Sequence, residues 1–98
     1  MPNSSYIKGR NFEYRVKERL EKLGYHVVRS AGSKFPDMVA LADRPKGTLP
    51  RIFYVECKVR KYLKQEEKVE AGTIKFRTQL PFLVFFKDKE RKIGWYEV

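Results

Sequence analysis

The chain has 98 residues, of which 42% are hydrophobic, and a formal net charge of +10 at pH 7. This length and composition predict one globular domain over residues 1–98 and exclude a disordered chain. No apolar run approaches the roughly 20 residues of a membrane span, and no signal-peptide core is present, so we expect a cytoplasmic protein without a membrane partner. The 22 Lys and Arg against 12 acids indicate a nucleic-acid partner, with a solubilising Lys-rich surface as the alternative.

Cysteine and histidine usage narrows the possible chemistry. Cys57 is the only cysteine, so no intrachain disulfide can form, and a single thiol inside a strand is typical of a small apolar core residue. His26 is the only histidine, which disfavours a His-based metal cluster or a Ser-His triad. We expect no small-molecule cofactor.

The first predicted helix covers residues 9–23, after a short tail at residues 1–5. Its apolar residues lie at i, i+4, i+8 and i+11, which is one stripe of an amphipathic helix: Phe12, Val16, Leu20 and Leu23. Gly24 stands where a C-terminal glycine is expected. Glu13 borders this stripe, so it is either an edge residue or a group aimed at a site on the sheet.

Three strands are predicted next, at residues 25–30, 37–42 and 51–59. Because side chains alternate along a strand, the third strand has two different faces. One face carries Phe53, Val55, Cys57 and Val59, and the other carries Tyr54, Glu56 and Lys58. An apolar face opposite a charged one predicts that the charges line a cleft or reach solvent.

The second half contains one helix and two strands. Residues 64–77 favour a helix, with a strand at residues 73–77 as the alternative because Gly72 and β-branched residues weaken the helical signal. Residues 81–86 are almost wholly apolar, as in a strand covered on both faces, and residues 93–98 form the last strand. The predicted order is αβββαββ.

Three residues carry the chemical signal. Asp37 follows Pro36 and opens a strand, while Glu56 and Lys58 lie two apart on one face of another strand. If these strands pair side by side, two carboxylates and one ammonium converge, and they can hold a divalent cation beside a phosphate. The pattern therefore indicates metal-assisted phosphodiester hydrolysis. The alternatives are that Asp37 only forms a turn and that Glu56 and Lys58 form an exposed ion pair.

The same residues match the PD-(D/E)XK nuclease signature, with eighteen residues between Asp37 and Glu56. The element order resembles the restriction-endonuclease-like core, an α/β fold in which helices flank a mixed β-sheet. The likeness to the archaeal-type Holliday junction resolvases is more specific, covers roughly residues 8–61 and continues more faintly to Pro81-Phe82 and Trp95. It rests on Lys8-Gly9-Arg10 through Glu13, Leu23-Gly24-Tyr25, Arg29-Ser30-Ala31-Gly32-Ser33, Pro36-Asp37 and Glu56-Cys57-Lys58.

The resemblance implies roles for individual residues. The acids that match the family's metal site are Glu13, Asp37 and Glu56. Lys58 matches the catalytic lysine, and Ser33 matches a serine that contributes to catalysis. Lys8 and Arg10 match residues that contact junction phosphates. Further candidate phosphate contacts, with a solvated surface as the alternative, are Arg29, Lys34, Arg60 and Lys61.

Together these features predict a Mg²⁺-dependent endonuclease, with Mn²⁺ able to substitute, acting on branched DNA in recombination and repair. Asp37, Glu56 and the Cys57 carbonyl would ligate the metal, and Glu13 would bind a second metal or a metal-bound water. Paired cuts in a four-way junction imply a homodimer, for which residues 82–86, with Trp95 nearby, are candidate interface material; the alternative is a buried central strand. The competing functions are a nuclease for nicked, flap or duplex DNA and a non-catalytic DNA-binding module.

Overall fold

In the computed structural model, helices pack on both faces of a mixed β-sheet. The structure describes residues 4–31 and 34–98, with side chains of the first helix from residue 9 onward. The elements are α1 (Ser4–Lys22), β1 (His26–Arg29), β2 (Met38–Leu41), β3 (Ile52–Lys58), α2 (Gln65–Thr78), β4 (Phe82–Lys87) and β5 (Ile93–Glu97). This order confirms the predicted αβββαββ fold class.

The strands lie in the sheet in their chain order, β1-β2-β3-β4-β5. Neighbouring strands are antiparallel except β3 and β4, which are parallel and are joined by the crossover through α2. In the β2–β3 pair, Met38 lies opposite Val55. This register brings Asp37, just before β2, beside Glu56 on β3.

Each face of the sheet has its own apolar cluster. The cluster under α1 contains Phe12, Val16, Leu20, Tyr25, Val27, Met38, Ala40, Phe53, Val55, Leu83 and Phe85. The smaller cluster under α2 contains Leu63, Ala71, Phe82 and Val84. Because the buried residues of β4 alternate between the two clusters, this strand is covered on both sides.

Helix α1 begins earlier than its apolar stripe. The prediction of a tail at residues 1–5 is wrong for Ser4 and Ser5, which are helical, while residues 1–3 lie outside the described residues. At the other end Gly24 has a φ of +96°, and the Tyr25 N–H donates to the Leu20 carbonyl at 3.0 Å. This is a Schellman-type end that favours glycine, as predicted.

Helix α2 is continuous over Gln65–Thr78, so the alternative strand at residues 73–77 is wrong. The hydroxyl of Thr73 donates to the Val69 carbonyl at 3.0 Å, which satisfies this β-branched residue inside the helix. Gln79 ends the helix in a left-handed conformation, and its N–H donates to the Lys75 carbonyl at 2.8 Å. Within the described residues, no helix is long and apolar enough to cross a membrane.

Two further expectations are corrected by burial. Residues 82–85 are each at most 2% exposed within this chain and Phe86 is half-buried, so the alternative of a buried central strand is right and an interface built on residues 82–85 is wrong. Trp95 is 47% exposed, so its part in an interface stays a prediction. Val59 was placed on the buried face of the third strand, but β3 ends at Lys58 and Val59 is exposed. An apolar run looks the same whether its own chain or a partner covers it, so the sequence alone did not distinguish the two cases.

Candidate active site

Asp37 and Glu56 hold each other in place across the β2–β3 pair. The backbone N–H of Asp37 donates to Glu56 Oε1 at 3.1 Å, and the backbone N–H of Cys57 donates to Asp37 Oδ2 at 2.8 Å. Each carboxylate therefore accepts a hydrogen bond from the opposite strand. The expected convergence of these two acids is confirmed, and its cause is the antiparallel register.

Lys58 lies beside this pair, on the same face of β3 as Glu56. Its Nζ is 3.6 Å from Glu56 Oε2 and 2.5 Å from Glu67 Oε2. Glu56 is 6% exposed, so the alternative of an exposed Glu56–Lys58 ion pair is wrong, and the two side chains form a partly buried pair at the edge of the α2 layer. Glu67 was not predicted, because its contact with β3 depends on how the crossover helix lies on the sheet.

Burial dominates the electrostatics of the two carboxyl groups. It raises the pKa of Asp37 to about 6, and the charge of Glu13 adds to the rise. Burial, followed by the charge of Asp37, raises the pKa of Glu56 to about 8, against the opposing effect of Lys58. Two acids that resist ionisation side by side form a site where a cation is electrostatically favoured.

Glu13 reaches the site from α1 and is tied to β1. Its Oε2 accepts a hydrogen bond from Arg29 Nη2 at 3.0 Å, and the Arg29 guanidinium lies 4.9 Å from the centroid of the Tyr14 ring. Glu13 also lies close enough to Asp37 to raise the pKa of that carboxyl group. The stripe-edge position predicted for Glu13 thus directs it toward the sheet, whereas its pairing with Arg29 was not predicted.

The donor chemistry of this site suits a hard divalent cation. Asp37 and Glu56 supply carboxylate oxygens, and the Cys57 main chain between them and Lys58 supplies a carbonyl. Across residues 4–31 and 34–98, no group of three or more His, Cys, Asp or Glu side chains is arranged to hold a metal ion. Burial raises the pKa of the Cys57 thiol, which packs against the core as predicted and is not an activated nucleophile.

The candidate DNA-binding residues surround the site unevenly. Arg29, Lys34, Arg60 and Lys61 are exposed, on β1 or in the segments beside Asp37 and Lys58. Arg10 is exposed on α1, and its guanidinium donates to the Tyr14 hydroxyl at 3.2 Å. The side chain of Lys8 and all of Ser33 lie outside the described residues.

This αβββαββ fold, with two carboxylates and a lysine at the β2–β3 pair, has the architecture of the PD-(D/E)XK nuclease class. The sequence model of the archaeal Holliday junction resolvase family (Hjc) matches residues 4–91. The chain therefore belongs to the archaeal Holliday junction resolvase family.

Two individual proteins show the same relationship. The crossover junction endodeoxyribonuclease Hjc of Methanocaldococcus jannaschii is 43% identical over 53 residues, which cover 54% of this chain and 35% of that protein. The match thus spans about a third of the curated relative. The solved structure of Archaeoglobus fulgidus Hjc, a Holliday junction resolvase, superposes with a TM-score of 0.71 at 26% identity, covering 92% of this chain and 72% of the other.

Proposed function

We propose that this chain is a divalent-metal-dependent endodeoxyribonuclease that makes paired cuts in four-way DNA junctions. Mg²⁺ is the proposed metal, and Mn²⁺ is expected to substitute. The observation that carries the proposal is the reciprocal anchoring of Asp37 and Glu56, with Lys58 at 3.6 Å from Glu56. Membership of the resolvase family supports branched DNA as the substrate.

Asp37, Glu56 and the Cys57 carbonyl would hold the metal, and Glu13 on α1 would bind a second metal or a metal-bound water. When bound, a divalent metal polarises a phosphoryl oxygen and lowers the pKa of water. The protein's own part is to fix these oxygens on two paired strands rather than on a loop. Arg29 supports this arrangement because it holds the Glu13 carboxylate at 3.0 Å.

Lys58 would act on the phosphate and on the attacking water. Its ammonium can orient that water or stabilise the negative charge that develops on the phosphate oxygens. The side chain of Lys58 is 23% exposed, which leaves it accessible to DNA while excluding part of the competing solvent. Ser33 keeps the contributing role that the family resemblance implies.

Binding would rest on dispersed cations around the site. We assign phosphate contacts to Lys8, Arg10, Arg29, Lys34, Arg60 and Lys61. Such contacts position the duplex arms without reading bases, which suits recognition of a branched shape. The chemistry and the binding therefore use different residues, apart from Arg29.

Two symmetric cuts imply two active sites, so we propose a homodimer. With β4 buried, the strongest candidate interface is the outer face of α2. Val69 and Phe76 lie two helical turns apart on that face and are 61% and 79% exposed. Exposed apolar side chains grouped in this way are typical of partner surfaces.

Substitution of the site residues tests the proposal. We expect Asp37→Asn, Glu56→Gln and Lys58→Ala each to abolish junction cleavage, with a loss of at least about 10²–10³-fold for Lys58→Ala. Junction affinity in a gel-shift assay should stay close to wild type, because binding is dispersed. Lys89→Ala, which removes an exposed lysine in the β4–β5 turn, is the control. Cleavage by Lys58→Ala near the wild-type rate would remove Lys58 from the mechanism.

A further inference from the structure

The ammonium of Lys58 lies between two carboxylates from different elements. Glu67 Oε2 is 2.5 Å from Lys58 Nζ, and Glu56 Oε2 is 3.6 Å away. The side chains of Lys58, Glu67 and Glu56 are 23%, 20% and 7% exposed. The Lys58–Glu67 ion pair is partly buried, so it is less screened by salt than a surface pair, and its hydrogen bond is charge-assisted.

The carboxylate of Glu67 is itself fixed by the start of α2. Its Oε1 accepts the backbone N–H of Lys64 at 2.9 Å, while its Oε2 accepts the hydrogen bond from Lys58. One oxygen thus caps the helix and the other holds the lysine. An acid in the first helical turn is also favoured by the helix dipole, which keeps Glu67 charged at this position.

Helix α2 carries Glu67 to β3 because it is seated on the sheet. Ala71 is fully buried one turn after Glu67, and Ile74 packs against the same cluster as Phe82 and Val84. The parallel β3–β4 pair requires this crossover, so the start of α2 lies near the end of β3. Sheet topology thereby places an acid beside Lys58.

We infer that Glu67 is a positioning residue that holds the Lys58 ammonium beside Glu56 in the geometry needed for cleavage. The inference rests on the proposed function, because Lys58 has its catalytic role there. Lysine has a long flexible stem, and without a second anchor its ammonium would sample many positions. Misplacement of a reacting group by about 1 Å can cost about 10²-fold in rate.

Glu67→Gln separates positioning from helix capping. Glutamine keeps one carbonyl oxygen to accept the Lys64 N–H, as in a capping box, but its other group is an amide NH₂ that cannot accept from Lys58. We expect the single-turnover cleavage rate, measured with enzyme in excess, to fall about 10²-fold for both Glu67→Gln and Glu67→Ala. Junction affinity should be unchanged, and circular dichroism should show Glu67→Gln fully folded at the assay temperature.

The matched control is Glu66→Gln, which removes an exposed acid from the same helical turn. This variant should cleave at the wild-type rate. Cleavage by Glu67→Gln at the wild-type rate would overturn the inference and leave Glu67 as a helix cap only. A loss of rate in Glu67→Gln that merely matches a loss of folded protein would overturn it as well.

A second readout keeps this inference separate from the proposed function. The ¹⁵N NMR signal of the Lys58 ammonium, assigned with Lys58→Arg, is expected in the wild-type protein and should be lost in Glu67→Gln as the lysine becomes mobile. An ammonium signal that does not change in Glu67→Gln contradicts the positioning role. The two proposals can fail separately. If Glu67→Gln loses the signal but the wild-type protein cleaves no DNA, the nuclease function is wrong while the contact that anchors Lys58 is confirmed.

Discussion

Helices α1 and α2 cover opposite faces of the same sheet, and they bury very different amounts of apolar side chain. Helix α1 buries Phe12, Val16 and Leu20 to 1% exposure or less. In helix α2, residues 65–78, the one buried residue is Ala71, while Val69 and Phe76 remain exposed. Burial of an apolar stripe therefore accounts for the position of α1 on the sheet, but it accounts for little of the position of α2.

The two helices differ in what their side chains contact. Large apolar side chains anchor α1, which contributes Glu13 at the edge of its stripe. A small residue seats α2, which uses its first turn to hold Lys58 through Glu67 and turns apolar side chains outward. Changes in α1 should therefore cost folding stability, whereas changes on the outer face of α2 should cost assembly.

The largest expected effect tests α1 as the core helix. Phe12→Ala should lower the free energy of unfolding by about 3–5 kcal/mol, because it leaves a cavity beneath a fully packed helix. Phe76→Ala, which removes the same side chain from α2, should change the stability of the monomer by less than about 0.5 kcal/mol. Urea denaturation of both variants makes the comparison. Equal losses would contradict the contrast between the helices.

The next effect concerns the carboxylates between the helices. Burial raises the pKa of Asp37 to about 6 and of Glu56 to about 8, so the metal-free folded chain binds protons more tightly than the unfolded chain. The stability linked to these groups is full below about pH 4, near their ordinary pKa values, and is lost as the pH rises through their folded pKa values.

Glu56→Gln should therefore be more stable than wild type at pH 8.5, on the order of 2–3 kcal/mol, and nearly equal to it at pH 4. Urea denaturation in EDTA at the two pH values measures this. A Glu56→Gln protein less stable than wild type at pH 8.5 would mean that the site stabilises the charged carboxylate.

The smallest expected effect is on dimerisation through the outer face of α2. Phe76→Ala and Val69→Ala should each weaken dimerisation by about 1–2 kcal/mol, roughly 5–30-fold, because each removes an apolar contact at the proposed interface. Sedimentation equilibrium at micromolar concentration measures the change. Val28→Ala, which shortens an exposed apolar side chain on β1, serves as the control. A wild-type chain that stays monomeric, even on a junction, would leave a nuclease that makes single cuts.

Periodicity and alternation predicted most of this fold. The stripe from Phe12 to Leu23 located α1, and alternation along β3 placed Glu56 and Lys58 on one face. The predicted site requires the strand after Asp37 to pair with the strand that carries Glu56 and Lys58, and β2 and β3 are paired in this way. Sequence patterns indicate which side of a helix or strand is apolar, so they predict correctly those features that depend on a single segment of the chain.

The parts that were missed depend on packing between elements distant in sequence. Glu67 meets Lys58 because α2 crosses over a parallel pair, and Arg29 meets Glu13 because β1 lies beside α1. Neither contact leaves a pattern within a single segment. The sequence did offer one signal for Glu67: it is an acid in the first turn of the helix that follows the strand ending at Lys58.

The most direct test compares DNA substrates of identical arm sequence. A four-way junction and its matched duplex are incubated with the wild-type chain in Mg²⁺, in Mn²⁺ and in EDTA, and the cuts are mapped on every strand. We expect metal-dependent cuts at symmetric positions on two opposing strands of the junction, with the duplex intact. Equal cleavage of the duplex, or tight junction binding with no cleavage in Mg²⁺ or Mn²⁺, would contradict it.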